Sequence, residues 1–208
     1  MARNTRQRIL DAALEMFNAQ GEPNVTTNHI ADELEISPGN LYYHFRNKDD
    51  IIEQLFAGYE ARIDAALAAP EGRLPGLEDI WLQLHMVFEC IWDYRFLYRD
   101  VVEILSRNRR LRMRFARILK RADESAHAVM RGMARAGVMR ATADEIDAAA
   151  TNVLVLATFW LNYASVRGDK DEQLAIRAGI VQVMMLVAPF LRDAERVHLN
   201  QLVQAYRT

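Results

Sequence analysis

The sequence predicts an all-α protein of about nine to ten helices, and three observations carry that prediction. Apolar residues recur at helical spacing along nearly the whole chain, strand-like alternation is absent, and the sparse glycines and prolines sit at junctions. The 208 residues, 51% hydrophobic and 26% charged, have the balance of a soluble globular chain. That length can bury a core without disulfide or metal staples.

Each element has its own signal. Ile9, Ala12, Ala13, Met16 and Phe17 mark a first helix, ended by Gly21 with Pro23 close behind. Thr27 is expected to cap a short second helix bearing Ile30, Ala31 and Leu34. Ser37-Pro38, a cap followed by proline at the first helical position, opens a third helix with Leu41 and Phe45 facing inward. Asn47 with Asp50 resembles a capping box for a fourth helix that carries Ile51, Ile52, Leu55, Phe56, Tyr59 and Ile63 to about residue 69. Residues 70–76, with two prolines and two glycines, form the clearest internal boundary. Longer helices follow over about 77–94, 96–106, 109–136, 143–167, 172–191 and 193–206, with a capping box at Thr142 and Glu145 and stops at Gly137 and Gly168.

Enzyme chemistry finds little support. His29, His44, His85, His127 and His198 show no metal-ligand spacing with one another or with Cys90. No phosphate-cradling glycine loop occurs. We expect no catalytic residues, metal or cofactor. No apolar leader follows Met1, and no run of about 18 uncharged apolar residues is found, so no membrane partner is expected. With one cysteine and no internal disulfide, the chain is expected to be cytoplasmic.

The second and third helices, joined by a tight turn between Leu34 and Ser37, read as a helix-turn-helix. The later helix of such a pair lies in the major groove of double-stranded DNA. Its exposed side would present Pro38, Gly39, Asn40, Tyr43 and His44. Asn40 can pair with adenine in a bidentate manner, a contact worth roughly 1–3 kcal/mol of discrimination. Gly39 lets the backbone approach closely. Tyr42, Tyr43 and His44 can donate to phosphate oxygens, although Tyr42 can equally pack on the preceding helix. Lys48 starts the fourth helix, where backbone amides already favour a phosphate. Thr26, Thr27 and Asn28 are placed similarly at the second. Overall charge gives no hint of this: the chain carries −2, and its first fifty residues hold five Lys/Arg against eight Asp/Glu. The cations Arg3, Arg6 and Arg8 form either a solvated end or an arm reaching DNA.

These residues resemble a known family. Residues 31–48, Ala-Asp-Glu-Leu-Glu-Ile-Ser-Pro-Gly-Asn-Leu-Tyr-Tyr-His-Phe-Arg-Asn-Lys, are similar to the signature of the TetR family of bacterial regulators. The approach through Phe17, Gly21 and Thr27 also fits. Glu35 departs from the pattern where the family usually has glycine, and a left-handed backbone there would cost about 1–2 kcal/mol. Asn40 stands where threonine is common, which leaves the operator sequence open.

The resemblance implies a helix-turn-helix domain over 1–50 and a ligand-sensing and dimerisation domain over 51–208. Residues 148–164 and 176–191 are apolar nearly all round, and a helix apolar on every face must be buried on every face. A homodimer through helices near 144–167 and 172–191, bound to two-fold related half-sites, is therefore expected. Trp81, His85, Phe88 and Trp92 form one stripe, and with Trp160 and Tyr163 they are either ordinary core or the wall of a small apolar ligand site. The expected function is a sequence-specific repressor released by a small apolar or amphipathic ligand. The alternative is a dimeric regulator without a ligand, controlled by a partner protein or by abundance. A cationic run from Arg107 to Arg121 is either a solvated face or a contact for an anionic partner.

Overall fold

The structure, a computed structural model, describes residues 2–68, 72–169, 171–204 and 206, with residues 2–4 described by backbone only. Pro70 and the Arg3 side chain lie outside the described residues. Among those described there are eleven α-helices and no strand. They are α1 (Ala2–Gln20), α2 (Thr27–Glu33), α3 (Pro38–His44), α4 (Lys48–Ala66), α5 (Leu77–Asp93), α6 (Arg95–Arg99), α7 (Val101–Arg107), α8 (Arg109–Ala136), α9 (Ala143–Arg167), α10 (Glu172–Val187) and α11 (Asp193–Gln204). Short 3-10 turns occupy Glu22–Asn24 and Ala188–Phe190.

Two boundaries differ from expectation for identifiable reasons. The helix predicted over 96–106 is two helices, broken at Asp100, whose backbone leaves the helical region at φ −107° and ψ 20°. The Asp100 carboxylate there accepts the backbone N–H of Glu22 at 3.2 Å, a tertiary contact that periodicity cannot reveal. The cap of α2 is Thr26, not Thr27: its side chain accepts from the His29 N–H, and the His29 ring accepts from the Thr26 N–H.

The chain divides into two compact units. The first comprises residues 1–62 and 93–113, and the second residues 63–92 and 114–208. In the first, Ile9, Ala13 and Phe17 of α1, Ile30 and Ala31 of α2, Leu41 of α3 and Ile51, Ile52, Phe56 and Tyr59 of α4 are buried. Phe96 of α6 packs on Phe17 with ring centroids 5.3 Å apart. Asn18 fastens the same helix with polar contacts, donating to the Asp93 carbonyl at 2.8 Å and accepting from the Phe96 N–H at 3.1 Å.

In the second unit α9 and α10 pack closely. Gly179 explains why: a Cβ there would lie 2.6 Å from both the Phe88 and Trp160 rings. Trp160 also donates its indole N–H to the Ala175 carbonyl at 2.6 Å. The expected capping box at Thr142 and Glu145 starts α9, and Gly168 ends it with φ 82°.

Candidate nucleic-acid interface

The recognition helix is built by its own first turn. Ser37 accepts from the Asn40 N–H at 3.2 Å, and Pro38 occupies the first turn, where no intrahelical donor is needed. Leu41 and Phe45 are buried, so the opposite face is committed to solvent. Pro38, Gly39, Asn40, Tyr42 and Tyr43 are exposed, Tyr43 at 80%, while His44 is half-buried with its ring against the edge of Tyr43. Gly39 needs no special backbone angle, and a Cβ on it would meet only Ser37 Oγ, at 3.9 Å. Nothing among the described residues requires glycine there.

The remaining sequence candidates fall in different surroundings. Asn28 is exposed near the start of α2. The Thr27 and Tyr42 hydroxyls bond each other at 3.0 Å and join α2 to α3, so each has one hydrogen bond inside the protein. The Lys48 ammonium, expected to serve a phosphate, is engaged within the chain. Its three contacts are internal: Glu22 Oε1 at 2.8 Å, the Glu22 carbonyl at 3.0 Å and the Val25 carbonyl at 2.9 Å. Two of the three ammonium donors go to the carbonyls, and the charge faces the Glu22 carboxylate as an ion pair. The N-terminal residues are also not an extended arm, because α1 begins at Ala2. Arg6 lies over the Phe45 ring and donates to Gln54 at 2.9 Å, whereas Arg8 is exposed.

Sequence reading missed a buried group here. Glu22 is fully buried, and Arg107 Nη2 approaches its Oε1 at 2.6 Å. Asp100, above the Glu22 amide, has its carboxyl held above the ordinary carboxylate range. Burial is the main cause, opposed by the Glu22 N–H and Arg99. Arg99 in turn caps α1 by donating to the Phe17 and Asn18 carbonyls. No local motif marks these contacts, since Asp100 and Glu22 are 78 positions apart and Arg99 and Phe17 are 82. Part of the cationic run is held in separate ion pairs, Arg110 with Glu53 in the first unit and Arg121 with Asp64 in the second, while Arg109, Arg112 and Arg117 are exposed.

The six ligand candidates divide into two groups and one separate position. Trp81 stacks on His85, which the Tyr206 hydroxyl meets at 3.2 Å. Phe88 and Trp160 pack tightly around Gly179, with Tyr163 beside Trp160 but 53% exposed. Trp92 is half-buried. A cavity of about 280 Å³ opens instead on another face of α5, lined by Ala65, Ala66, Leu82, Gln83, Met86 and Val129 and by the Arg73–Asp79 ion pair. The Arg73 hydrogen bond holds the Asp79 carboxyl below its ordinary range.

Comparison with known proteins agrees with this architecture. Residues 58–199 match the family described as Bacterial transcriptional repressor, TetR, and residues 9–55 match Bacterial regulatory proteins, tetR family. The chain is 45% identical over 56 residues to the HTH-type regulator TtgW of Pseudomonas putida, covering 27% of this chain and 42% of that one. It is 32% identical over 75 residues to AcrR of Shigella flexneri, covering 36% and 35%. These alignments span between about a quarter and a half of the curated relatives' lengths. Among solved structures, a TetR-family regulator from Marinobacter aquaeolei VT8 is similar at 38% identity with a TM-score of 0.89, covering 98% of this chain and 99% of that one. A SmeT–triclosan complex shares the fold at 22% identity and a TM-score of 0.60, over 92% and 94%. A putative regulator from Saccharomonospora viridis in complex with choline does so at 21% and 0.68, over 97% and 96%. The helix-turn-helix, the all-helical architecture and the match over residues 58–199 establish that this chain belongs to the TetR family, whose members are DNA-binding transcriptional regulators and not enzymes.

Proposed function

We propose that the chain is a cytoplasmic, homodimeric, sequence-specific repressor whose operator contacts come from the exposed face of α3. Gly39 carries the reading. Gly39 lies in the first turn of α3, where glycine is still a poorer helix former than alanine, and the described residues leave room for a methyl group. Close approach of something outside the chain is the remaining reason for glycine, and DNA against Pro38, Gly39, Asn40 and Tyr43 supplies it. Selection of duplexes from a random-sequence pool tests this. Wild-type protein should enrich a two-fold symmetric site, and Gly39→Ala should fold at least as stably yet bind that site on the order of tenfold or more weakly. Equal binding by Gly39→Ala would exclude close approach at that position.

Release by a small apolar or amphipathic ligand is supported by the cavity that Leu82 and Met86 line and by ligand complexes of proteins that share the fold, SmeT with triclosan and the Saccharomonospora protein with choline. A ligand there would act by binding one conformer better than another. The alternative, regulation by abundance or by a partner protein, is favoured by the filled core around Gly179, Phe88 and Trp160. Dimerisation through α9 and α10 is supported by their apolar surface. α9, and α10 together with the 3-10 turn that follows it, reach the length and hydropathy of a bilayer-crossing helix, yet only 33% and 50% of their most apolar windows are buried within the chain. A second copy would cover the remainder.

A further inference from the structure

Glu22 is an expensive residue to keep. It is fully buried, and neither carboxylate oxygen is in hydrogen-bond geometry with a described residue, although Lys48 Nζ and Arg107 Nη2 lie 2.8 and 2.6 Å from Oε1. A buried ion cluster of this kind is often no more stable than an apolar substitute of similar volume. Stability alone therefore gives no reason for it.

Its placement gives one. Glu22 and Lys48 flank the segment that contains α2 and α3, and their contact closes that segment at its base. Lys48 strengthens the closure through the Glu22 and Val25 carbonyls. Both ends of α7 hold the same residue: Asp100, preceding it, takes the Glu22 amide, and Arg107, at its end, takes the carboxylate. Arg107 is 33% exposed and also has Asp49 and Glu103 within 4 Å, so it can move without being left uncompensated in the interior.

We propose that Arg107 and Glu22 are positioning residues for operator binding: α7, through this clasp, fixes the helix-turn-helix against the start of α4 and so sets operator affinity without touching DNA. The proposal rests on the DNA-binding reading above. Its test uses the full-length protein and a fluorescent duplex that the wild type has selected from a random-sequence pool. Affinity is measured from 50 to 200 mM salt, with urea stability measured in parallel. Arg107→Met should bind about tenfold more weakly. Its dependence on salt should match the wild type, because no phosphate contact is lost. Arg107→Lys should recover most of the affinity. Unchanged binding by Arg107→Met overturns the proposal. So does a salt slope reduced by about one, which would place Arg107 on a phosphate.

Glu22→Gln keeps the shape of the side chain and carries the same expectation if Arg107→Met does not fold. Where both fold, the double variant should bind no worse than the weaker single one, because the two residues act through one contact. Additive losses would count against the clasp. A wild type that selects no duplex at low salt would instead defeat the DNA-binding reading itself.

Discussion

Glu35 stores strain in the turn that makes the helix-turn-helix tight. It is the one non-glycine residue at positive φ among the described residues, at 53°. The turn needs it there: the Glu35 N–H bonds the Asp32 carbonyl at 3.1 Å and the Ile36 N–H reaches back to the Ala31 carbonyl at 3.0 Å. An L side chain in that region clashes with its own backbone, and glycine does not. Glu35→Gly should therefore stabilise the protein by about 1 kcal/mol, after allowing for the greater freedom of glycine in the unfolded chain. Thermal unfolding should shift upward by roughly 2–4 °C. A lower midpoint would show that the Glu35 side chain contributes more than its backbone costs. The departure from glycine was readable in the sequence. The fate of Lys48 was not: its position at the start of α4 suggested a phosphate contact, whereas the buried carboxylate that captures it lies before α2.

At the scale of elements, local chemistry was legible and distant chemistry was not. The Ser37-Pro38 start of α3 and the Thr142–Glu145 box of α9 involve residues within three positions of each other, so their signals lie in one window of sequence. The break between α6 and α7 depends on Glu22, and no window of sequence contains both. The α9 box can be tested by pH. Glu145 accepts from the Thr142 N–H at 2.7 Å and from its hydroxyl at 3.0 Å, which hold its carboxyl below the ordinary range, the backbone bond most strongly. A carboxyl depressed in the folded state contributes stability above its unfolded pKa, near 4.3, and loses it as pH falls through the folded value. Glu145→Gln should thus be less stable than the wild type at pH 7, with the difference shrinking progressively below about pH 4. Thr142→Ala should cost about 1 kcal/mol at pH 7 yet keep the larger part of that pH dependence, because the backbone N–H that depresses the carboxyl most remains. A Glu145→Gln deficit that persists at pH 2 would mean that the charge is irrelevant to the cap.

At the scale of the whole molecule, the question is what covers α9 and α10. Each buries one face within its unit through Ala149, Ala150, Trp160 and Leu161 on α9 and Ile176, Ile180, Val183 and Met184 on α10. Their other faces leave Val155, Phe159, Tyr163 and Val166 and, on α10, Leu174 and Met185 between 42% and 89% exposed. On α9 these four recur at intervals of four, four and three, which places them on one stripe of the helix. The two helices adjoin, as the Trp160–Ala175 bond shows, and a stripe of this kind is the expected form of a self-complementary dimer surface. Phe159, 45% exposed within the chain, is the large aromatic near its centre. Aromatic groups buried at the middle of an interface commonly contribute 2 kcal/mol or more to association. Phe159→Asp should therefore weaken the dimer on the order of 30-fold or more in sedimentation equilibrium while leaving helical content unchanged. It should also lower affinity for a two-half-site operator more than for an isolated half-site, because the second head no longer benefits from tethering to the first. A wild type that sediments as a monomer at micromolar concentration, or a Phe159→Asp dimer of undiminished strength, would mean that something other than a second copy covers this face.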